Sequence, residues 1–98
     1  MMKIEWSPSA KSQLREILKF YTQRNGSPGY SKRLKKEIWK IVRIIRTNQH
    51  FGEQLPGLNN RRRVSVENFV LIYDFDNVLV RIHSIRDGRC DEEQSREI

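Results

Sequence analysis

The sequence predicts an α+β domain in the order β-α-α-β-β-β, with a helical hairpin packed on an antiparallel sheet. Three observations carry that prediction. Apolar residues recur twice at helical spacing between Ala10 and Ile45. From Arg63 onward they gather instead into short runs rich in Val, Ile, Tyr and Phe, separated by polar pairs. Between the halves, Asn48 to Asn60 is punctuated by Gly52, Pro56 and Gly57, a connecting loop of thirteen residues. A chain of 98 residues suits one modest core, so residues 1–98 read as a single domain with an acidic tail at 91–98.

Each element has its own signal. Lys3 to Trp6 alternates polar and apolar residues and reads as a short strand with Ile4 and Trp6 on one face. Ser7-Pro8 then opens a helix, a hydroxyl able to cap backbone N–H groups followed by proline at the first helical position. Ala10, Leu14, Ile17, Leu18 and Tyr21 form its apolar stripe, and Asn25-Gly26 ends it. Ser27-Pro28 repeats the start signal. The second stripe is Tyr30, Leu34, Ile38, Ile41, Val42 and Ile45, with the helix running to about Thr47. Lys32, Arg33, Lys35, Lys36, Lys40, Arg43 and Arg46 take its outer surface. Phe20 and Ile44 lie off the two stripes, so they are either partner anchors or part of a wider core. Trp6 and Trp39 read as core anchors.

In the C-terminal third, Arg63 to Val66, Phe69 to Phe75 and Val78 to Ile85 form a meander with hairpins at Glu67-Asn68 and Asp76-Asn77. Alternation places Val64, Val66, Val78, Val80 and Ile82 on the core face. It leaves Arg61, Arg63, Ser65, Arg81 and His83 on the other, with Arg86 and Arg89 at the edge. The middle run is apolar on both faces and belongs at the centre of the sheet.

Charge narrows the function. Nineteen Lys and Arg against twelve Asp and Glu give +7 and a pI near 10.0. Residues 91–98 hold four acids and one base, so residues 1–90 carry +10. Such a surface suits RNA, DNA or an acidic partner, or is simple solubilising charge. Cys90 stands alone, which excludes an internal disulfide and a thiolate metal cluster. The two His are isolated, no metal-ligand spacing is present, and no Gly-rich nucleotide loop or nucleophile motif occurs. We expect no cofactor and no metal. With no apolar run of signal-peptide or membrane-span length, the expectation is a cytoplasmic protein without a membrane role.

The chemistry-bearing candidates sit on the open sheet face. Guanidinium groups pair bidentately with phosphate and can offset charge developing in phosphoryl transfer. His83 is the one residue there able to exchange a proton near neutral pH. Arg63, Arg81, His83 and Arg89 are therefore candidate catalytic residues. Arg61, Arg62, Arg86, Lys36, Lys40 and Arg43 are candidate nucleic-acid contacts. A solvated face or a dock for an acidic partner accounts for the same residues equally well. His50 reads as an exposed loop residue.

Several segments together resemble the RelE/ParE superfamily of type II toxin–antitoxin toxins. They are Trp6-Ser7-Pro8-Ser9-Ala10, Leu55-Pro56-Gly57-Leu58, Arg63-Val64-Ser65-Val66, Phe69-Val70-Leu71-Ile72-Tyr73 and Val80-Arg81-Ile82-His83-Ser84-Ile85, followed by Asp87-Gly88-Arg89. The resemblance spans residues 3–90 and rests on order and spacing. It implies two helices on a curved antiparallel sheet and a cognate acidic antitoxin that wraps the toxin. It also implies one of two activities. RelE-like members cut mRNA on the ribosome without a metal, the ribose 2′-hydroxyl attacking the adjacent phosphate; ParE-like members poison DNA gyrase without hydrolysis. The first, an mRNA interferase, is the leading expectation, with gyrase inhibition or a harmless binding module as alternatives. Two departures bear on the choice: Val70 stands where RelE-like nucleases carry an arginine, and no tyrosine follows Tyr73.

Overall fold

The computed structural model describes residues 2–57 and 60–88. Seven elements follow one another: β1 (Lys3–Trp6), α1 (Pro8–Asn25), α2 (Gly29–Thr47), β2 (Glu53–Gln54), β3 (Arg62–Val66), β4 (Phe69–Phe75) and β5 (Leu79–Asp87). The strands form one sheet in the order β1-β5-β4-β3-β2, and both helices cover the same side of it. The α+β expectation is borne out, with two additions. β1 runs parallel to β5, so the sheet is mixed and not purely antiparallel. The connecting loop also donates a two-residue strand, β2, to the edge of β3.

Local chemistry sets most boundaries. The Ser7 hydroxyl accepts the Ala10 N–H at 3.0 Å and caps α1, with Pro8 in its first turn. Gly26, at φ +68, closes the same helix in the left-handed region that a side chain resists. The second Ser-Pro behaves differently. Pro28 itself occupies the cap position of α2, and no side chain caps it. Ser27 therefore does not serve as the expected cap. The helices are tied instead by a small polar node, in which the Thr22 and Ser31 hydroxyls lie 2.7 Å apart and each lies 2.9 Å from the Leu18 carbonyl oxygen, their two protons shared among three contacts. Ser31 is buried, and these bonds meet its need for partners.

The core is built from Ala10, Leu34, Ile38, Val42 and Ile45 of the helices with Val66, Phe69, Leu71, Tyr73, Val80, Ile82 and Ile85 of the sheet. β4 is central, as its two-sided apolar pattern implies. Two expectations fail. Val78 is 67% exposed because β5 begins only at Leu79; the Asp76 carboxylate accepts the N–H groups of Val78 and Leu79, holding Val78 in the turn. Trp39 is 39% exposed and meets Trp6 edge-on at 5.5 Å, so it lies at the rim of the core.

β5 carries a bulge. Tyr73 pairs with Ile82 while Ile72 pairs with Ser84, which leaves His83 as the extra residue. The bulge resets the alternation, so Ile82 and Ile85 both enter the core. Ser7 secures it from the neighbouring strand: its N–H donates to the Ile82 carbonyl and its hydroxyl to the His83 carbonyl, both at 2.9 Å. Where β1 ends, Gln13 of α1 takes over and accepts the Ile85 N–H at 2.9 Å.

The loop after α2 is fastened by Tyr73. Its ring is fully buried, and its hydroxyl donates to the Gln49 carbonyl at 2.7 Å and accepts the Gly52 N–H at 2.8 Å. Burial pushes this phenol above its ordinary value of 10.0, against the Gly52 N–H and the Arg62 charge. A Cβ at Gly52 would lie 2.8 Å from the Tyr73 ring and 2.9 Å from the Arg63 carbonyl oxygen. We expect Tyr73→Phe to cost about 1–3 kcal/mol by stranding the Gly52 N–H. Gly52→Ala should cost more, because backbone must move. Urea denaturation would rank the two; equal midpoints for both variants and the parent would refute the account.

Candidate functional site

The open face of the sheet is organised in rows across β3, β4 and β5. One row is Ser65, Val70 and Arg86, and the next is Arg63, Ile72 and Ser84. A third pairs Asp74 with Arg81, and Glu5 of β1 flanks it. Cations and carboxylates are therefore interleaved on this face. The two ends differ in character.

At one end the expected catalytic pair is tied to acids. Arg81 donates to Asp74 Oδ1 at 2.9 Å and to Asp76 Oδ2 at 3.1 Å. His83 Nε2 lies 2.9 Å from Asp74 Oδ2, while forming no well-aligned hydrogen bond. That nitrogen is itself buried. Asp74 thus sits between the two candidate residues. Asp76 is held below its ordinary 3.8 by the N–H groups of Val78 and Leu79 and then by Arg81. Arg81 is raised in turn by Asp76 and Asp74. The sequence reading missed both carboxylates. The available signal was parity, since Asp74 falls on the same face as Val70 and Ile72.

At the other end, around the β3–β4 turn, Arg63, Ser65, Glu67, Asn68, Val70 and Gly88 line a concavity of about 400 Å³. Glu67 stands at φ +55 in the turn, and the Gly88 N–H donates to the Asn68 carbonyl at 2.8 Å, tying the end of β5 to it. Arg63 and Arg86 both belong to this end. Arg89 lies outside the described residues, as do Cys90 and the acidic stretch from Asp91.

The remaining candidates separate. Arg62 faces the core side with Val64 and donates to the Gly52 carbonyl at 2.7 Å and the His50 carbonyl at 3.3 Å. It fastens the loop, on the side of the sheet away from Arg63. Arg61 is exposed beside β3. Lys36, Lys40 and Arg43 lie on the outer surface of α2, across the thickness of the molecule from Arg63. The sheet face and the helix face are two surfaces. His50 is exposed, as expected, and its ring meets Phe75 edge-on at 5.2 Å.

A third surface is apolar. Between α1 and the end of β5, Ile17, Phe20, Tyr21, Phe69 and Ile85 line a groove of about 730 Å³ rimmed by Glu16 and Arg86. Phe20 is 53% exposed within it, and Ile44, on the other helix, is 40% exposed. Both lie outside the core. No helix among the described residues is long and apolar enough to cross a membrane.

The family profile described as the ParE toxin of the type II toxin–antitoxin system parDE matches residues 4–91. The chain belongs to the ParE toxin family. Solved structures carry the same fold. The chromosomal ParDE system of P. aeruginosa superimposes with a TM-score of 0.73 at 20% identity, covering 89% of this chain and 96% of that one. The YoeB dimer of Staphylococcus aureus gives 0.63 at 23% identity, covering 87% and 94%. YafQ from E. coli strain BL21(DE3) gives 0.62 at 14% identity, covering 92% and 97%. A comparison with curated proteins found no match. This ParE-family toxin thus shares its fold with toxins of several names.

The electrostatics of the Asp76 turn give a pH dependence. A carboxyl lowered in the folded state contributes stability that is present above the ordinary carboxylate range and lost as pH falls through its lowered value. The Tm difference between the parent and Asp76→Ala should therefore be full at pH 6 and narrow below about pH 4. A difference constant from pH 6 to pH 2 would show that the carboxylate charge contributes nothing.

Proposed function

We propose that this toxin acts by binding and not by hydrolysis, as an inhibitor of DNA gyrase. One observation carries the reading: among the described residues, the arginine and the histidine beside Asp74 are turned toward carboxylates of the same face. Arg81 is held by Asp74 and Asp76, and the buried His83 Nε2 faces Asp74. A general acid must reach the leaving oxygen, at hydrogen-bond distance or through one water. His83 Nε2 is enclosed, and the middle of the face is Val70 and Ile72. The family profile supports the same reading.

A second reading has its own support. The concavity at Arg63 is polar and has room for a phosphate, which suits cleavage of ribosome-bound mRNA. The two are separated by what stops first on induction. Under the gyrase reading DNA breaks and the SOS response precede any block in translation, and His83→Ala and Arg81→Ala remain toxic. New mRNA ends within codons by primer extension, with normal supercoiling by purified gyrase in excess toxin, would overturn it.

The partner of the apolar groove is an acidic antitoxin. Phe20 and its neighbours provide a concave apolar seat, and the surrounding basic surface would speed encounter. The groove and the Arg63 concavity meet at Phe69, so neutralisation by a partner that fills the groove and reaches over the adjoining concavity is part of this proposal.

A further inference from the structure

The core and the reading above leave most of the cations on the outer face of α2 unused. Seven of its nineteen residues are Lys or Arg, all exposed, and its one acid is Glu37. Three cations are engaged: Lys40 with Glu37 at 3.3 Å, Arg46 with the Met2 carbonyl at 2.9 Å, and Arg33 over the Tyr30 ring at 5.1 Å. Lys32, Lys35, Lys36 and Arg43 have no partner among the described residues. At 3.6 residues per turn, Lys32, Lys36, Lys40 and Arg43 fall within a sector of about 80°, diametrically opposite Leu34, Ile38 and Ile45. At 1.5 Å per residue they extend along about 16 Å of helix.

We propose that this stripe binds the phosphate backbone of duplex DNA without regard to sequence. The inference is independent of which enzyme the toxin inhibits. Charge complementarity is the first argument. Lys32, Lys36 and Arg43, unpaired on one rigid face with Lys40 beside them on Glu37, repel one another, and a polyanion with one charge per about 1.7 Å of axis relieves that repulsion while releasing counterions. Shape is the second. These four cations line none of the cavities described among the described residues, whereas an acidic protein partner would need apolar seats, and the apolar groove belongs to α1 and β5.

The aromatic content argues for a duplex over a single strand. Single-strand binders stack bases on open ring faces. Trp39, about 20° outside this sector at 3.6 residues per turn, packs its ring edge-on against Trp6 at 84° and 5.5 Å. A duplex needs no stacking platform, and its major groove is about 12 Å wide, room enough for a helix of about 10–12 Å diameter to approach. Three of the stripe's four cations are lysines, point charges suited to phosphate, and only Arg43 carries a planar fork.

The test uses purified toxin and a fluorescein-labelled 20-base-pair duplex of arbitrary sequence, followed by anisotropy from 50 to 200 mM KCl. Four phosphate contacts predict a slope of log affinity against log salt of about −3 to −4. Lys36→Ala and Arg43→Ala should each flatten it by about one and together weaken binding at least tenfold at 100 mM KCl. Lys19→Ala on α1 removes the same charge elsewhere and should leave the slope unchanged. Alanine favours helix, so the variants should fold, which circular dichroism verifies. The proposal is overturned by absence of binding at 50 mM KCl, by an equal effect of Lys19→Ala, or by tighter binding of single-stranded RNA of the same length.

Discussion

Ser7 is the point on which this architecture depends. One side chain caps α1 through Ala10 and bonds the carbonyl of the bulged His83, while its backbone N–H extends the parallel pairing to Ile82. Without that closure, the bulge would leave a carbonyl of β5 without its ladder partner at a half-buried position. The bulge in turn lets Ile82 and Ile85 both face the core although they are three residues apart. A strict two-residue alternation would have turned Ile85 outward, or His83 inward with an imidazole among aliphatic side chains. The order β1-β5-β4-β3-β2 follows from the same joint, because β1 reaches the far edge only where β5 can receive it.

Most of the helical half was readable because its signals are local. Ser7-Pro8 and Asn25-Gly26 bracket α1, and the stripe from Leu34 to Ile45 gives the buried side of α2. Ser27-Pro28 failed as a signal for an equally local reason: proline took the cap position itself, which moved the hydroxyl one residue out of it. The strands were readable as strands, but their partners were not. Nothing in Lys3 to Trp6 states that it pairs with Leu79 to Ile82, or that it does so in parallel. The Glu53–Gln54 strand has no alternation at all; pairing with β3 creates it.

The candidate site shows a sharper limit. Strand parity correctly put Arg63, Arg81 and His83 on one face, yet parity reports direction and not company. The decisive neighbours are Asp74 and Asp76. Each is a single acid at the end of an apolar run, and their meaning comes from register, which sets Asp74 directly across from Arg81. Arg62 makes the same point in reverse. Within a run of three arginines it looks interchangeable with its neighbours, but it alone points to the loop side, where two carbonyls occupy it.

These placements divide the labour of a very basic small protein. A charge of +7 could have been a diffuse solubilising field. Here the sheet face balances its cations with Glu5, Asp74 and Asp76, the groove beside Phe20 is apolar, and the unbalanced positive charge concentrates on α2. A surface that must be rigid for recognition is better carried by a helix whose other side is locked by Leu34, Ile38 and Ile45 than by a loop. Neutralising charge on the sheet and leaving it exposed on the helix separates electrostatic attraction from apolar anchoring. A partner seated in the groove and a polyanion on α2 could then bind at once, each meeting the chemistry that suits it.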